Sequence, residues 1–99
     1  METTIQFVNT EKNKIAENLV LEKLDQLYKH FDWIIRAKVF FKEEKDTKGK
    51  RKLCDINMSC PGPPIFATSN EETLEAAIAE TIKDLTIQLN KRKSERQLH

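Results

Sequence analysis

Two hydrophobic periods alternate along the chain, and each change of period marks a predicted element. Residues 3–9 have a period of two, with Ile5 and Phe7 on one side, which indicates a short strand. The period becomes helical over residues 15–31. Asn13 is the predicted N-cap of this helix because its side-chain oxygen can accept from a free backbone N–H. The apolar stripe of the helix consists of Ile15, Leu19, Leu24, Leu27, Tyr28 and Phe31.

The middle of the chain returns to a period of two and predicts three further strands, at residues 34–42, 53–60 and 65–68. The run 45–52 is the predicted hairpin loop, and the proline-rich run 61–64 is a turn. The apolar side of the second strand consists of Ile35, Ala37, Val39 and Phe41, and its other side of Arg36, Lys38, Phe40 and Lys42. The apolar side of the third strand consists of Cys54, Ile56, Met58 and Cys60.

A second helix is predicted after residue 68. Ser69 and Glu72 match the S-x-x-E capping box, in which each side chain satisfies a backbone N–H of the other residue. Helical propensity continues beyond the last apolar anchor, Leu89, so residues 94–99 are expected either to extend the helix or to fray. The apolar stripe consists of Leu74, Ala77, Ile78, Ile82, Leu85 and Leu89.

The predicted fold class is α+β, with the order β-α-β-β-β-α. A right-handed crossover places the first helix on one face of the sheet, and the second helix packs most simply beside it. The prediction is therefore a four-stranded sheet with two helices on one face and an open opposite face. Ninety-nine residues suffice for one modest core, so residues 1–99 are predicted to form a single domain.

The formal net charge of +1 conceals an uneven distribution of charge. Residues 45–52 carry a net charge of +4 and residues 91–99 a net charge of +3, which leaves −6 on the other 82 residues. The chain is thus a mildly acidic body with two basic segments. Such asymmetry is expected of a protein that meets phosphate groups on one surface.

Membrane and secreted classes are not favoured. The chain has no apolar run of the ~20 residues that cross a bilayer, and its N-terminus lacks the basic-then-apolar order of a signal peptide. The predicted location is cytoplasmic. Cys54 and Cys60 lie six residues apart on one predicted strand, or roughly 20 Å at ~3.3 Å per residue, too far for a disulfide. Two reduced thiols are therefore expected.

Signals for an enzyme, a metal or a cofactor are weak. His30 and His99 are the two histidines, and neither lies in a motif with a nucleophile. The two glycines cannot build a phosphate-cradling loop, and the cysteines lack companion ligands for a metal. We therefore expect no catalysis, no cofactor and no metal.

Basic residues give the stronger signal, although each group alone is equally consistent with a solvated surface. The second strand contributes Arg36, Lys38 and Lys42, the hairpin loop contributes five cations, and the last nine residues contribute Lys91, Arg92, Lys93 and Arg96. Together they hold 12 of the 17 lysines and arginines, which favours a polyanionic partner. Few aromatic residues are available for stacking, so RNA recognised by its shape is the expected ligand.

The order of elements and several segments resemble one known family, the ribosome hibernation promoting factors, which includes the ribosome-associated inhibitor A protein. "EETLEAAIAETIKDLTIQLNKRK" resembles the closing helix of that family, whose apolar–x–Lys–His–Lys pattern is matched by Leu89, Lys91, Arg92 and Lys93. "LEKLDQLYKHFDWIIRAKVFFK" resembles its first helix and second strand, with Lys23 and the pair Phe31–Asp32, and "PIFATSNEETLEAAI" resembles its short strand and helix start.

The resemblance implies a fold topologically similar to a double-stranded RNA-binding domain. It also implies binding to the small ribosomal subunit, against 16S rRNA in the channel for mRNA and tRNA, and a block of translation in starvation or stationary phase. The chain resembles the short form, a monomer off the ribosome, for which ribosome dimers would need a separate factor. The implied RNA-binding residues are Lys23, Lys29, Arg36, Lys38, Lys83, Lys91, Arg92, Lys93 and Arg96.

The chain departs from the family pattern in the second helix. Ile87 stands where many relatives have a basic residue, Lys83–Asp84 reverses the usual acid–lysine order, and Arg92 replaces the usual histidine. An alternative of a different class is a protein-interaction module of the same fold that regulates transcription factors through the acidic body.

Overall fold

The computed structural model describes residues 1–45, 49 and 51–97, and its elements follow the predicted order. The strands are β1 (Glu2–Val8), β2 (Arg36–Glu43), β3 (Lys52–Ser59) and β4 (Ile65–Glu71). The helices are α1 (Lys14–His30) and α2 (Leu74–Gln97). Residues 46–48 and 50 of the predicted hairpin loop, and residues 98–99 of the predicted tail, lie outside the described residues.

The four strands form one mixed sheet in the order β1-β2-β3-β4. β1 is parallel to β2, and the other neighbouring strands are antiparallel. One row of the sheet runs through Ile5, Val39, Ile56 and Ala67, which all point towards the helices. The predicted fold class is therefore confirmed: α+β, with a four-stranded sheet and two helices on one face. The likeness to a double-stranded RNA-binding domain stays a prediction.

The core lies between the sheet and the two helices, and the side of the sheet away from the helices is termed the open face. Thr81 of α2 is fully buried in this core. A buried hydroxyl is costly unless it is paired, and Thr81 donates to the carbonyl oxygen of Cys54 at 2.9 Å. The α1 residues buried in the core are Ala16, Val20, Leu24 and Leu27.

The register of two apolar stripes differs from the prediction at their first residues. Ile15 is 72% exposed, and the next residue, Ala16, is buried instead. The buried stripe of α1 is therefore shifted by one residue at its start. The backbone N–H of Ile35 donates to the carbonyl oxygen of Ser59 at 2.8 Å, but its side chain is 57% exposed. β2 begins only at Arg36, and the buried side chain before it is that of Ile34.

The predicted N-cap of α1 is confirmed, and that of α2 is wrong. Asn13 caps α1 as predicted, since its Oδ1 accepts from the N–H of Ala16 at 3.0 Å. The capping box at Ser69 is wrong, because β4 stays paired with β3 as far as Glu71. The cap of α2 is Thr73 instead, whose Oγ1 accepts from the N–H of Ala76 at 3.1 Å.

Candidate nucleic-acid interface

The two helices end at the same end of the sheet, where β1, β2 and β4 begin. β4 has the same direction as β1 and β2, so each helix runs back against the strand that precedes it. The last turns of α2 accordingly reach the C-cap of α1, Phe31. This end of the molecule is termed the cationic end and is defined by Lys29, Arg36, Lys91, Arg92, Lys93 and Arg96. Lys29 and Arg96 lie in the last turns of α1 and α2, where they offset the partial negative charge of each helix C-terminus.

Arg92 is held against the turn between β3 and β4. Its Nη1 donates to the Sγ of Cys60 at 3.1 Å, to the carbonyl oxygen of Pro61 at 3.3 Å and to that of Pro63. Gly62 in this turn has φ +93°, and a Cβ there would lie 3.4 Å from Nη1. Glycine thus permits the turn and leaves room for the guanidinium. Arg92 fastens the end of α2 to the sheet and keeps only part of its donor capacity for another molecule.

Two further cations of α2 lie over aromatic rings. The Nζ of Lys93 is 5.9 Å from the ring centroid of Phe31, and the guanidinium carbon of Arg96 is 5.1 Å from that of Trp33. The two rings pack edge to face at 5.9 Å. Contacts of this kind at exposed sites contribute about 0.5–1 kcal/mol each. They position both side chains while the charges stay at the surface.

Within the described residues, Lys23, Lys83 and Lys91 have no ion-pair partner. Lys23 and Lys83 line a groove between the helices together with His30. Because His30 is the last residue of α1, this groove opens at the cationic end. Lys91 lines a separate depression beside β4, next to Gln88. These lysines can meet phosphate without first breaking an ion pair.

The remaining predicted cations lie on α1 and β2. Lys29 pairs with Asp25 at 3.4 Å, one helical turn away, and Arg36 pairs with Glu2 at 3.5 Å. All four side chains are more than 40% exposed, and exposed pairs of this kind contribute only about 0–1 kcal/mol. Lys38 lies on the open face, opposite the groove between the helices. The nine predicted residues therefore lie at one end, in the groove and on the open face.

The described part of the basic run 45–52 lies at the other end of the molecule. The N–H of Arg51 donates to the carbonyl oxygen of Glu71, and Lys52 pairs with the same residue in the sheet register, close to the start of α2. The molecule measures 47 × 25 × 18 Å. The described residues of the two basic segments thus lie at opposite ends of the fold, where the charge pattern predicted a single surface.

Sequence reasoning missed the partners of the α2 cations. The helical stripe predicts Phe31 as a core residue, yet the rings of Phe31 and Trp33 both support cations of α2. The turn at 61–64 carried a usable signal, because a segment rich in proline has carbonyl acceptors but few N–H donors. In the fold, Arg92 donates to the carbonyl oxygens of Pro61 and Pro63 in this segment.

Among the described residues, two titratable groups have a resolved pKa shift, and neither indicates a catalytic centre. Burial raises the pKa of the Cys54 thiol to about 12, so this thiol is neutral and a poor nucleophile. The hydrogen bond from Lys52 lowers the pKa of Glu43 at the surface. Across residues 1–45, 49 and 51–97, no group of three His, Cys, Asp or Glu side chains could hold a metal ion, and no helix is long and apolar enough to span a membrane.

The chain resembles known proteins both in sequence and in fold. The family model described as Sigma 54 modulation protein / S30EA ribosomal protein matches residues 3–97. The ribosome hibernation promoting factor of Pseudomonas putida is 30% identical over 97 residues, which cover 98% of this chain and 91% of that protein.

Two solved structures have the same fold. A ribosomal subunit interface protein from Coxiella burnetii has a TM-score of 0.81 at 21% identity, covering 95% of this chain and 99% of that one. The N-terminal domain of Protein Y from Thermus thermophilus has a TM-score of 0.74 at 24% identity, covering 92% and 98%. The family predicted from the sequence is confirmed, and the chain belongs to the Sigma 54 modulation protein / S30EA ribosomal protein family, together with the ribosome hibernation promoting factors.

Proposed function

We propose that this protein is a ribosome hibernation factor that binds the small ribosomal subunit at the mRNA and tRNA channel and blocks translation by steric occlusion. The observation that carries the proposal is the family match over residues 3–97, on a fold that gathers six of the nine predicted cations at one end. Inhibition by occupancy needs no catalytic group. The protein then acts in the cytoplasm, where ribosomes are.

The cationic residues divide into two roles in this proposal. Lys23, Lys83 and Lys91 meet rRNA phosphates directly, because they are not engaged in ion pairs among the described residues. Each neutralised phosphate releases counterions and adds to affinity at low salt. Arg92 instead holds the end of α2 in the position that presents these lysines. Lys93 and Arg96 contribute charge from positions fixed by their aromatic rings.

The test is sedimentation of the protein with purified 30S subunits over a range of salt concentrations. The site variant combines Lys23→Ala, Lys83→Ala and Lys91→Ala, each of which removes a lysine of the groove or the cationic end. The control variant combines Lys12→Ala, Lys14→Ala and Lys45→Ala, which removes the same charge from exposed positions at the other end. The site variant should lose most binding, and its log–log salt slope should fall by about 2–3 relative to the control.

A translation assay completes the test, because occlusion predicts that inhibition in a cell-free system parallels binding. Equal binding and inhibition by the site and control variants would remove the groove and the cationic end from the mechanism. Wild-type protein that stays in the supernatant at low salt would instead favour the protein-interaction module acting on transcription factors.

A further inference from the structure

The open face carries two aromatic rings that no element covers within the described residues. Phe66 on β4 is 50% exposed, and Phe40 on β2 is partly exposed. The register pairs Phe66 with Asn57 and Phe40 with Asp55, so the two rings lie one row and two strands apart. With strands ~4.8 Å apart and ~6.6 Å between rows, their separation is roughly 12 Å. Neither ring can cover the other, so both remain accessible to solvent on this face.

Cations follow β2 through the same face. Arg36, Lys38 and Lys42 point outward on either side of Phe40, at multiples of two residues or ~6.6 Å. Lys38 is exposed and has no ion pair among the described residues. The side chains of Arg36 and Lys42 are each 42% exposed although they pair with acids. The face therefore offers a line of positive charge interrupted by one ring.

The acids of the open face are already neutralised. Glu2 pairs with Arg36, and Asp55 accepts from Lys42 at 2.9 Å and from the hydroxyl of Thr68. The side chain of Asp55 is only 13% exposed. The strand residues of this face thus carry a net charge of +1, and the unpaired charge, on Lys38, lies one row from Phe40.

We propose that the open face binds a short single-stranded segment of RNA. One base stacks on Phe40 and another on Phe66, the phosphates lie along the cations of β2, and the Asn57 amide meets a base edge. Aromatic rings combined with a basic track are the features by which sheets bind single strands. The identification of RNA as the polyanion rests on the proposed function, but the site itself depends only on the sheet.

Two other occupants fit these side chains less well. The centre of a protein interface is depleted of charge, whereas Lys38 lies in the same row as Phe66 at the middle of this face. A second copy packed face to face would also bring like charges together. Double-stranded RNA keeps its bases stacked, so it has none to place on the two rings.

The test is an NMR titration of the wild-type protein with an oligouridylate of about eight nucleotides, supported by fluorescence anisotropy of the labelled strand. Chemical-shift changes are expected on the outward residues of β2, β3 and β4. Phe66→Ala should weaken binding by about fivefold or more, since stacking on one ring is lost, and Phe66→Trp should preserve it. Ile87→Ala is the matched control because it removes an exposed apolar side chain, 61% accessible, from α2.

Several outcomes would overturn the proposal. They are shift changes confined to the groove between the helices, equal affinities of Phe66→Ala and Ile87→Ala, no binding of the oligouridylate, and stronger binding of duplex RNA. Open-face shifts that depend on protein concentration without RNA would assign the face to a second copy. Sedimentation of Phe66→Ala with 30S subunits tests the proposed function separately from the open-face site. This variant keeps Lys23, Lys83 and Lys91 and lacks only the Phe66 ring.

Discussion

Removal of the Arg92 side chain tests whether the end of α2 is fastened by a single residue. In Arg92→Ala, the contacts to Cys60, Pro61 and Pro63 disappear, while the aromatic contacts of Lys93 and Arg96 remain in the last turns of α2. Alanine and arginine have similar helix propensities, so the backbone itself should change little. The expected effect is therefore loss of the anchor.

The magnitude follows from the chemistry of the acceptors. Hydrogen bonds of a charged donor contribute about 1.5–3 kcal/mol each, but sulfur is a weak acceptor. Pro61 and Pro63 are exposed, so water replaces the guanidinium at their carbonyl oxygens in the variant. We expect a total loss of about 1–2 kcal/mol in the free energy of unfolding. For a domain of this size that loss lowers Tm by roughly 4–16 °C.

The assay is thermal unfolding followed by circular dichroism, combined with amide hydrogen exchange of α2. Arg92→Lys keeps the charge but has no planar fork, so it should lose most of the same stability. Lys91→Ala removes the neighbouring charge, and it should stay within about 0.5 kcal/mol of the wild type. Amide hydrogen exchange of the α2 residues that follow Leu89 should be faster in both Arg92 variants, because the end of the helix opens locally.

An unchanged Tm and unchanged exchange in Arg92→Ala would refute the anchor. The same would hold if Lys91→Ala lowered Tm as much as Arg92→Ala does, because general loss of positive charge would then explain both. A fall in Tm for Arg92→Ala without faster exchange after Leu89 would place the effect elsewhere in the fold.

Three further predictions concern single residues. NMR titration should give Glu43 a pKa below its ordinary value of 4.5, and Lys52→Gln should raise that pKa. The stability from this pair is present above pH 4.5 and is lost as the pH falls through the lowered pKa. An unchanged pKa of Glu43 in the variant would contradict the assignment. Because burial raises its pKa to about 12, Cys54 should resist iodoacetamide at pH 8 in the folded protein, and mass spectrometry showing alkylation as fast as in urea would contradict this. Leu24→Ala should cost about 2–5 kcal/mol in urea unfolding and Ile15→Ala less than about 0.5 kcal/mol, a ranking that fails if the two are equal.

The match between hydrophobic period and secondary structure explains why much of the fold was predictable. A strand places alternate side chains on opposite faces, and a helix places residues three and four apart on one stripe, so β2 and β3 were assigned correctly to within two residues. The errors occurred where a local pattern met a tertiary constraint. Ser69 has the sequence of a capping box, but pairing of β4 with β3 extends to Glu71 and moves the cap to Thr73.

The sequence by itself determined the order of elements, the side of each strand that faces the core, and the concentration of cations in two segments. Those properties depend on residues close together in the chain. Only the tertiary structure decided what the cations do, because their partners are distant in sequence. Arg92 meets a turn some 30 residues away, Lys93 and Arg96 reach rings at the end of α1, and the described part of the basic hairpin lies at the opposite end. The same holds for Phe40 and Phe66, which share one face only because β3 aligns their strands.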